Sequence, residues 1–403
     1  MKSCLVKFFE IRFSPGNTSS GRHSGNVVDS GTGCSPPVGN LALLLKVVCI
    51  LQFETFPIHN LERYWIMQRI FLFFLTILFA ASMFAAEPVR LVFDTDLGND
   101  VDDAMALAII HALQNRNECE LLAITTTKDN QYVVPMANLL NTFYGRPGIP
   151  IAVVKNGAAK EDGKYNRQVL ELKDEAGNPR YPRSLTPEDS ANLPEAVPFL
   201  RKLLAEAPDN SVVLVQVGFF TNFARLLDTS ADSISPLTGK ELIAKKVKLL
   251  SLMAGAFAEQ YKEHREYNVV NDIPSAKKLV AEWPTEMVFS GFEIGDWIQH
   301  PPASMKEDYG YMKYHPLKDA YHFYRGLDNG QPTFDLTSVL YAVRPNRGYF
   351  ALSPPGTVTV QDNGITTFAA NEGGKHRYMI VSPEQIAKVR EAFVQLCSEP
   401  PKR

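Results

Sequence analysis

The sequence predicts an α/β fold in which a single open, mostly parallel β-sheet is covered by helices on both faces. From residue 89 onward, short and almost continuously apolar runs alternate with stretches of helical pattern. Strands that are buried on both faces read as continuous apolar runs, and the helices between them carry the chain back to the start of the next parallel strand. The 403 residues, of which 45% are hydrophobic, are enough for one large domain or two small ones.

The predicted elements follow one another along the chain. Strands are predicted near 89–93, 120–127, 149–154, 211–217, 247–253 and 285–289. Helices are predicted near 102–115, 132–144, 195–206, 222–228, 274–282 and 383–397. The polar, charged segment 155–190 is interpreted as a surface excursion that could cover a pocket, and the segment 356–368 as β-rich.

The N-terminal part of the chain resembles a targeting segment that lies unusually far into the sequence. A single Arg69 precedes the apolar core 70–81, and small residues follow before Glu87, which is the pattern of a secretory signal peptide. We therefore predict a misassigned or disordered extension at 1–66, a signal peptide at 67–86 and an exported domain at 87–403. Export would place the domain in the periplasm or outside the cell; an uncleaved membrane anchor is the competing interpretation.

Charge and cysteine content exclude several classes of protein. The net charge of −3 provides no basic excess for binding nucleic acid or an anionic membrane, so no membrane contact is expected after signal cleavage. Three of the five cysteines lie in the predicted extension. The other two, Cys119 and Cys397, are far apart, so neither a disulfide framework nor a zinc pattern is present.

The segment 94–103 carries five aspartates in ten positions, between a predicted strand and a predicted helix. Like charges this close repel one another, and a helix N-terminus supplies only about half a positive charge. A divalent cation is the natural neutraliser, and ligation by oxygen alone favours Ca²⁺ or Mg²⁺ over zinc. Aspartate also caps helices, but capping needs only one or two such residues. We interpret this turn as a metal-centred active site.

The polar clusters that follow predicted strands point to one shared site. They occupy 94–103, 127–130, 218–222 and 254–268. Ligands of open parallel sheets bind beyond the carboxyl ends of the strands. Successive loops are therefore expected to assemble a single site at this edge of the sheet.

Five motifs in this order resemble the inosine-uridine-type nucleoside hydrolases. They are the aspartate-rich turn, Thr-Thr-Thr-Lys-Asp-Asn at 125–130, Gly-Phe-Phe-Thr-Asn at 218–222, Glu-Tyr-Asn-Val-Val-Asn-Asp at 266–272 and Thr-Phe-Asp at 333–335. The resemblance runs from about Val89 to Pro345. It implies a nucleoside hydrolase-like, Rossmann-like core and a Ca²⁺-dependent N-ribohydrolase of purine or pyrimidine nucleoside catabolism. It also implies a homodimer or homotetramer whose small-molecule ligand is a riboside.

The resemblance further implies a set of calcium ligands. Asp96 matches the residue that binds Ca²⁺ and, as the catalytic base, takes the proton from the attacking water. Asp103 and Asp335 match two further ligands, and the carbonyl of Val217 falls where a backbone oxygen binds the metal. Two additional residues precede the final aspartate pair, Asp102 and Asp103. Asp100 could therefore take the role of either of these two residues instead.

Substrate-binding roles follow from the same resemblance. Asp102 matches the residue that holds the ribose 2′-hydroxyl, and Asn130 matches a ribose-binding asparagine. Glu266 and Asn268 match the pair that grips the sugar hydroxyls. Such contacts would fix the sugar while a metal-held water attacks an oxocarbenium-like centre at C1′.

Phe334 departs from the family pattern. The family places a histidine there, which is suggested to protonate the leaving base, and phenylalanine cannot donate a proton. Either another group serves, with His264 and His322 as candidates, or the leaving group departs unaided. A third expectation is that Phe334 stacks against the base.

Two other functions also fit parts of the sequence. In a phosphatase of the haloacid-dehalogenase type, Asp94 would be the nucleophile and Asp96 the acid/base, with Mg²⁺ as the metal. That interpretation leaves the downstream motifs unexplained. The second alternative is an exported, non-catalytic binder of ribosides or related sugars, which the change at Phe334 would allow.

Overall fold

The structure is a computed structural model that describes residues 87–402 together with Trp65, Arg69, Phe71 and Leu72. The chain divides into two compact units, Met1–Phe84 and Ala85–Arg403. Apart from those four positions, the predicted extension and signal peptide lie outside the described residues and stay predictions. Among the described residues, no helix has both the length and the apolar character needed to span a membrane.

Twelve strands and thirteen α-helices make up the described part of the second unit. The strands are β1 Val89–Thr95, β2 Cys119–Thr126, β3 Ile151–Val153, β4 Val212–Gln216, β5 Val247–Met253, β6 Glu286–Ser290, β7 Gln299–His300, β8 Gln331–Pro332, β9 Ala351–Leu352, β10 Gly356–Val360, β11 Thr366–Ala370 and β12 His376–Ile380. The helices are α1 Asp102–Asn115, α2 Val133–Phe143, α3 Asn166–Glu171, α4 Ala196–Glu206, α5 Thr221–Leu227, α6 Gly239–Lys246, α7 Tyr267–Asn271, α8 Ile273–Glu282, α9 Phe292–Trp297, α10 Pro302–Glu307, α11 Pro316–Arg325, α12 Phe334–Val343 and α13 Pro383–Cys397.

The predicted open, mostly parallel sheet is confirmed. Its strands lie in the order β11-β10-β12-β6-β5-β4-β1-β2-β3, and β9 pairs with β12. All neighbours from β12 to β3 run parallel, whereas β10 is antiparallel to both β11 and β12. Strand β1 therefore lies inside the parallel region, between β4 and β2, so its carboxyl end opens onto the loops of both neighbours.

Two apolar cores form on opposite faces of the sheet. Leu91 and Phe93 belong to one core and Val92 to the other, as expected for a strand whose successive side chains point to opposite faces. Helices α1, α2, α12 and α13 contribute to the first core, and α4, α5, α6 and α8 to the second. Both faces are covered, so the loops at the strand ends remain as the place for a site.

The main error of the sequence prediction concerns the stretch between β6 and β9. Helices α9 to α12 lie there, and none of them was predicted. The motif that contains Phe334 and Asp335 was placed on a loop, but it forms the first turn of α12. The reason is that almost every residue of α12 is buried, so its sequence lacks the polar face that marks an amphipathic helix.

Candidate active site at the carboxyl ends of the strands

A cavity of 470 Å³ opens where β1, β4 and β5 end. The sequence-predicted site residues that line it are Asp96, Val217, Glu266, Asn268, Phe334 and Asp335. Asp102 and Asp103 are fully buried next to it, at the start of α1. The structure therefore brings together residues that are up to 239 positions apart in the sequence, between Asp96 and Asp335.

Four carboxylates form a compact group beside this cavity. Asp100, Asp102, Asp103 and Asp335 each offer an oxygen within 4.8 Å of those of the others. Asp102 and Asp103 lie in the first turn of α1 and Asp335 lies in the first turn of α12, so two helix N-termini point at the group. The positive end of each helix favours negative charge there. We call these four residues the carboxylate group.

The hydrogen bonds of the carboxylate group leave room for a cation. The backbone N–H of Asp335 donates to Oδ2 of Asp102 at 3.1 Å, which fixes α12 against α1. The other oxygen, Oδ1 of Asp102, is buried and has no hydrogen-bond partner among the described residues. A buried, unpaired carboxylate oxygen is costly, and oxygen ligands of this kind suit a hard divalent ion. The residues present therefore fit a calcium or magnesium ion.

Burial governs the electrostatics of the group. Removal from water raises the pKa of Asp102, Asp103 and Asp335 well above the ordinary value, and repulsion between neighbouring carboxylates raises each further. Without a cation, these side chains are stabilised by protons. The same site therefore has a strong preference for positive charge.

Thr95 holds one member of the carboxylate group in place. It is the last residue of β1, and its hydroxyl donates to Oδ1 of Asp103. The same hydroxyl oxygen accepts the backbone N–H of Leu97 at 3.1 Å. The end of the strand thereby fixes both the start of the aspartate-rich turn and a carboxylate eight residues further on.

Asp96 lies next to the carboxylate group and lines the cavity. Its side chain accepts a hydrogen bond from Nδ2 of Asn99. Burial, followed by the charge of Asp100, raises the pKa of Asp96 to about 7. A carboxylate with such a pKa is suited to general base catalysis near neutral pH.

The two additional residues of the aspartate-rich turn are accommodated by a tight bend. Gly98 has φ 122°, a conformation that disfavours a side chain, and an added Cβ would lie 2.4 Å from Nδ2 of Asn166. Val101 packs fully inside the first core. As a result, Asn99 points towards the site, where it contacts Asp96 on one side and Lys128 on the other.

Glu266 and Asn268 lie together at the start of α7. The carboxylate of Glu266 accepts the backbone N–H groups of Asn268 at 2.8 Å, Val269 at 3.2 Å and Gly255 at 3.3 Å. Burial outweighs these bonds and raises the pKa of Glu266 to about 7. Both residues line the cavity, in agreement with a role in holding a ligand.

The carbonyl of Val217 is already in use as an acceptor. Nδ2 of Asn268 donates to this oxygen at 2.9 Å and to the carbonyl of Met253 at 3.2 Å. A carbonyl oxygen has two lone pairs, so this bond leaves one free to bind a metal.

Asn130 is placed differently from the other predicted residues. Its Nδ2 donates to the carbonyl of Lys160 at 3.1 Å and to Oδ1 of Asp162 at 2.9 Å, and it lines a separate cavity of 550 Å³. In this structure Asn130 anchors the loop that follows β3. That loop supplies Glu161, Asp162 and Lys164 to the wall of the 470 Å³ cavity, as the interpretation of 155–190 suggested.

Sequence reasoning assigned no role to Lys128, although it lies in one of the motifs. This side chain is only 1% exposed, and its ammonium donates to Oδ1 of Asn99 and lies 3.2 Å from Oε1 of Glu161. A lysine two residues after the buried strand β2 was the available signal. It was missed because a charged residue in a predicted loop is normally exposed to solvent.

Aromatic rings form the remaining wall of the cavity. Phe334 stacks on Phe292 with ring centroids 5.0 Å apart, and the ring centroid of His264 lies 3.9 Å from that of Phe292. All three line the cavity, whereas His322 lines a different one. Of the two histidines considered from the sequence, the structure therefore brings His264 to the site.

Comparison with known proteins agrees with this geometry. Residues 91–390 match the profile of the family described as inosine-uridine preferring nucleoside hydrolase. The chain belongs to this family, and so to the hydrolases that act on N-glycosidic bonds. A comparison with the curated proteins gives no match.

Several solved structures share the fold. A plant nucleoside hydrolase, PpNRh1, is 20% identical and aligns over 78% of this chain and 100% of its own with a TM-score of 0.58. The purine-preferring ribonucleoside hydrolase from Gardnerella vaginalis is 18% identical, over 77% and 99% of the two chains, with a TM-score of 0.56. The type III effector protein XopQ, solved with adenosine diphosphate ribose, is 15% identical, over 78% and 96%, with a TM-score of 0.54.

Proposed function

We propose that this protein hydrolyses the N-glycosidic bond of a ribonucleoside or a related riboside in a Ca²⁺-dependent reaction, releasing the base and ribose. The observation that carries the proposal is the position of Asp96, which lies beside the carboxylate group and lines the same cavity as Glu266 and Asn268. A base, a cation site and sugar-binding groups thus face one space. This arrangement meets the needs of a reaction in which a positioned water attacks C1′.

Asp96, Asp103 and Asp335 would hold the calcium ion, together with the carbonyl of Val217. Asp100 is partly buried within the carboxylate group and is a further candidate ligand. When bound, calcium would lower the pKa of a water molecule and orient it. Asp96, which lines the cavity, would accept the proton from the attacking water.

The ribose would be held by Asp102, Glu266 and Asn268. Glu266 is rigid because three backbone N–H groups bind its carboxylate, so it offers a fixed acceptor to a sugar hydroxyl. Asn130 could reach the sugar only after its amide leaves Lys160 and Asp162. We therefore expect Asn130 to contribute to ribose binding only if the loop after β3 rearranges.

The base would lie against the aromatic wall. Phe334 and Phe292 offer a flat surface for stacking, which purines use more fully than pyrimidines because of their larger ring system. The ring centroid of His264 lies 3.9 Å from that of Phe292 in this wall, and we propose His264 as the proton donor to the leaving base. Burial lowers the pKa of His264, while the charge of Asp296 raises it, so donation is favoured towards acidic pH.

The position of Asp94 argues against the phosphatase alternative. Its carboxylate is fully buried, and Oδ1 accepts hydrogen bonds from Thr125 at 2.5 Å and from Asn222 at 2.8 Å. A covalent nucleophile must reach its substrate, whereas Asp94 supports the strand ends from inside the sheet. Asp94 is therefore a structural residue under this proposal.

The second candidate function is binding of a riboside without hydrolysis. It is favoured by Phe334, which occupies the position where the family resemblance implies a proton-donating histidine. The solved complex of XopQ with adenosine diphosphate ribose supports this candidate at the level of the fold. Tight binding of ribose or a nucleoside without release of a base would establish it.

We also propose that the protein acts after export, as a homodimer or homotetramer. The pattern at 67–86 supports export, and the family resemblance supports an oligomer. Sequencing the N-terminus of the exported protein tests the first proposal together with the interpretation of 1–66 as a misassigned extension, which a peptide from that segment would contradict. Light scattering of the purified protein tests the second.

The central experiment measures ribose release from a panel of purine and pyrimidine ribosides. The protein is assayed with calcium, with a chelator and as the Asp96→Asn variant. Release that requires calcium and is lost in Asp96→Asn supports the ribohydrolase. Calcium binding without release from any riboside would favour the non-catalytic binder.

A further inference from the structure

Lys128 is a buried cation beside an acidic site. It follows β2, and its backbone forms a bridge with Ala159 of the loop after β3. With 1% of the residue exposed, its ammonium has almost no contact with solvent. A buried ammonium needs partners that replace water, because charge in the protein interior is otherwise strongly unfavourable.

The direct partners of Lys128 are too weak to explain its burial. One is the neutral side-chain carbonyl of Asn99. The other is Glu161, at 3.2 Å, whose side chain is 58% exposed and therefore screened by water. The remaining compensation must come from charges that are themselves buried. Asp96 meets this requirement, because it is buried and is linked to Lys128 through the side chain of Asn99.

Asn99 connects the cation to the acidic site. Its Oδ1 accepts from Lys128, and its Nδ2 donates to Oδ2 of Asp96. Asn99 belongs to the aspartate-rich turn, in which two additional residues precede the final aspartate pair. The ammonium therefore acts on the site through a fixed polar contact as well as through space.

We propose that Lys128 is a built-in counter-cation of Asp96 and the adjoining carboxylate group, and that it stabilises the metal-free protein and weakens its affinity for a divalent cation. This inference rests on the cation site of the proposed function and not on the hydrolytic reaction. The ammonium and a bound ion attract the same carboxylates and repel each other. Removal of the ammonium should therefore destabilise the metal-free protein and strengthen cation binding, because the two effects are thermodynamically linked.

The test is a calcium titration of the full-length, chelator-treated protein by isothermal titration calorimetry at pH 7.5. Two variants remove the charge: Lys128→Met fills the same apolar space, and Lys128→Gln keeps a hydrogen-bond donor for Asn99. We expect both to bind calcium at least about tenfold more tightly than the wild type. In the absence of calcium we expect both to melt at a lower temperature, with the difference shrinking at saturating calcium.

Arg201 provides the matched control. It is also a buried cation, 2% exposed, but it pairs with Asp232 at 2.9 Å and with Thr229, away from the cavity. Arg201→Met should lower the melting temperature with and without calcium and leave the calcium affinity unchanged. This pattern separates a loss of general stability from a specific effect on the cation site.

Equal or weaker calcium binding in both Lys128 variants would overturn the inference, as would a failure of wild type and variants alike to bind calcium. Circular dichroism at saturating calcium confirms that each variant is folded. Hydrolysis is measured separately. An altered calcium affinity without any ribose release would contradict the ribohydrolase and leave the role of Lys128 intact.

Discussion

Thr95→Val tests how the end of β1 fixes the proposed cation site. Valine has almost the same shape as threonine, so the substitution removes a hydroxyl without opening a cavity. Two contacts disappear with it: the donation to Oδ1 of Asp103 and the acceptance of the Leu97 N–H at 3.1 Å. The first contact orients a proposed metal ligand, and the second fixes the turn that follows.

The expected effects can be sized from these two contacts. Loss of a hydrogen bond to a charged group costs about 1.5–3 kcal/mol, and a buried N–H left without a partner costs about 1–3 kcal/mol. Because the two losses occur at one atom and are not additive, we expect the free energy of unfolding to fall by about 3 kcal/mol. Groups that orient a metal ligand typically contribute about 10–100-fold to affinity, so calcium should bind at least about tenfold more weakly.

Urea unfolding and calcium calorimetry measure the two quantities on the same protein. Thr125→Val is the matched control, since the Thr125 hydroxyl donates at 2.5 Å to Asp94, a carboxylate outside the proposed ligand set. The control should lose about 1.5–3 kcal/mol of stability and keep the calcium affinity of the wild type. If Thr95→Val binds calcium as tightly as Thr125→Val does, the argument that Thr95 positions Asp103 is refuted.

The remaining predictions address stability, base recognition and the leaving group. Burial raises the folded-state pKa of Glu266 from 4.5 to about 7, so its stabilising protonated form is lost as the pH rises through this interval. Between pH 5 and pH 7.5, the free energy of unfolding measured in urea should therefore fall less for Glu266→Gln than for the wild type. Equal falls in the two proteins would contradict this. Phe334→Leu should raise KM for purine ribosides about 2–10-fold and should raise KM for pyrimidine ribosides less, because a stacking ring is removed. Equal changes in KM for both classes of riboside would exclude stacking. His264→Gln should lower kcat for natural ribosides but not for 4-nitrophenyl riboside, whose leaving group needs no proton. His322→Gln is its control, and equal loss in both histidine variants would argue against a specific role of His264.

Much of the fold followed from the sequence because parallel strands and their helices carry strong local patterns. The strand Val247–Met253 and the helices Asp102–Asn115 and Pro383–Cys397 begin and end where predicted. Helix α12 was missed for the opposite reason, since a helix that is buried on all sides has no polar face to reveal its period.

Only those parts of the candidate site that have a local signal in the sequence could be predicted. Five aspartates in one turn mark a cation site on chemical grounds alone. The bridge from Lys128 through Asn99 to Asp96 depends on how a lengthened turn meets the end of the next strand. The contact between the aspartate-rich turn and the residues after β2 is determined by tertiary packing. The sequence around a lysine in a loop does not indicate that its side chain will be buried. The anchoring of Asn130 to the loop after β3 is hidden for the same reason.

The hydrogen bond between Asp102 and the backbone of Asp335 joins residues that are 233 positions apart. The first three carboxylates of the group emerge early from the ribosome, and the fourth only after most of the domain has been made. Closing so long a loop is entropically unfavourable until the intervening elements have folded, so the group is assembled late. A partly folded chain therefore carries unpaired acidic residues but no cation site. Calcium, if it binds as proposed, would join the early and late parts of the chain and act as a selective ligand of the completely folded protein.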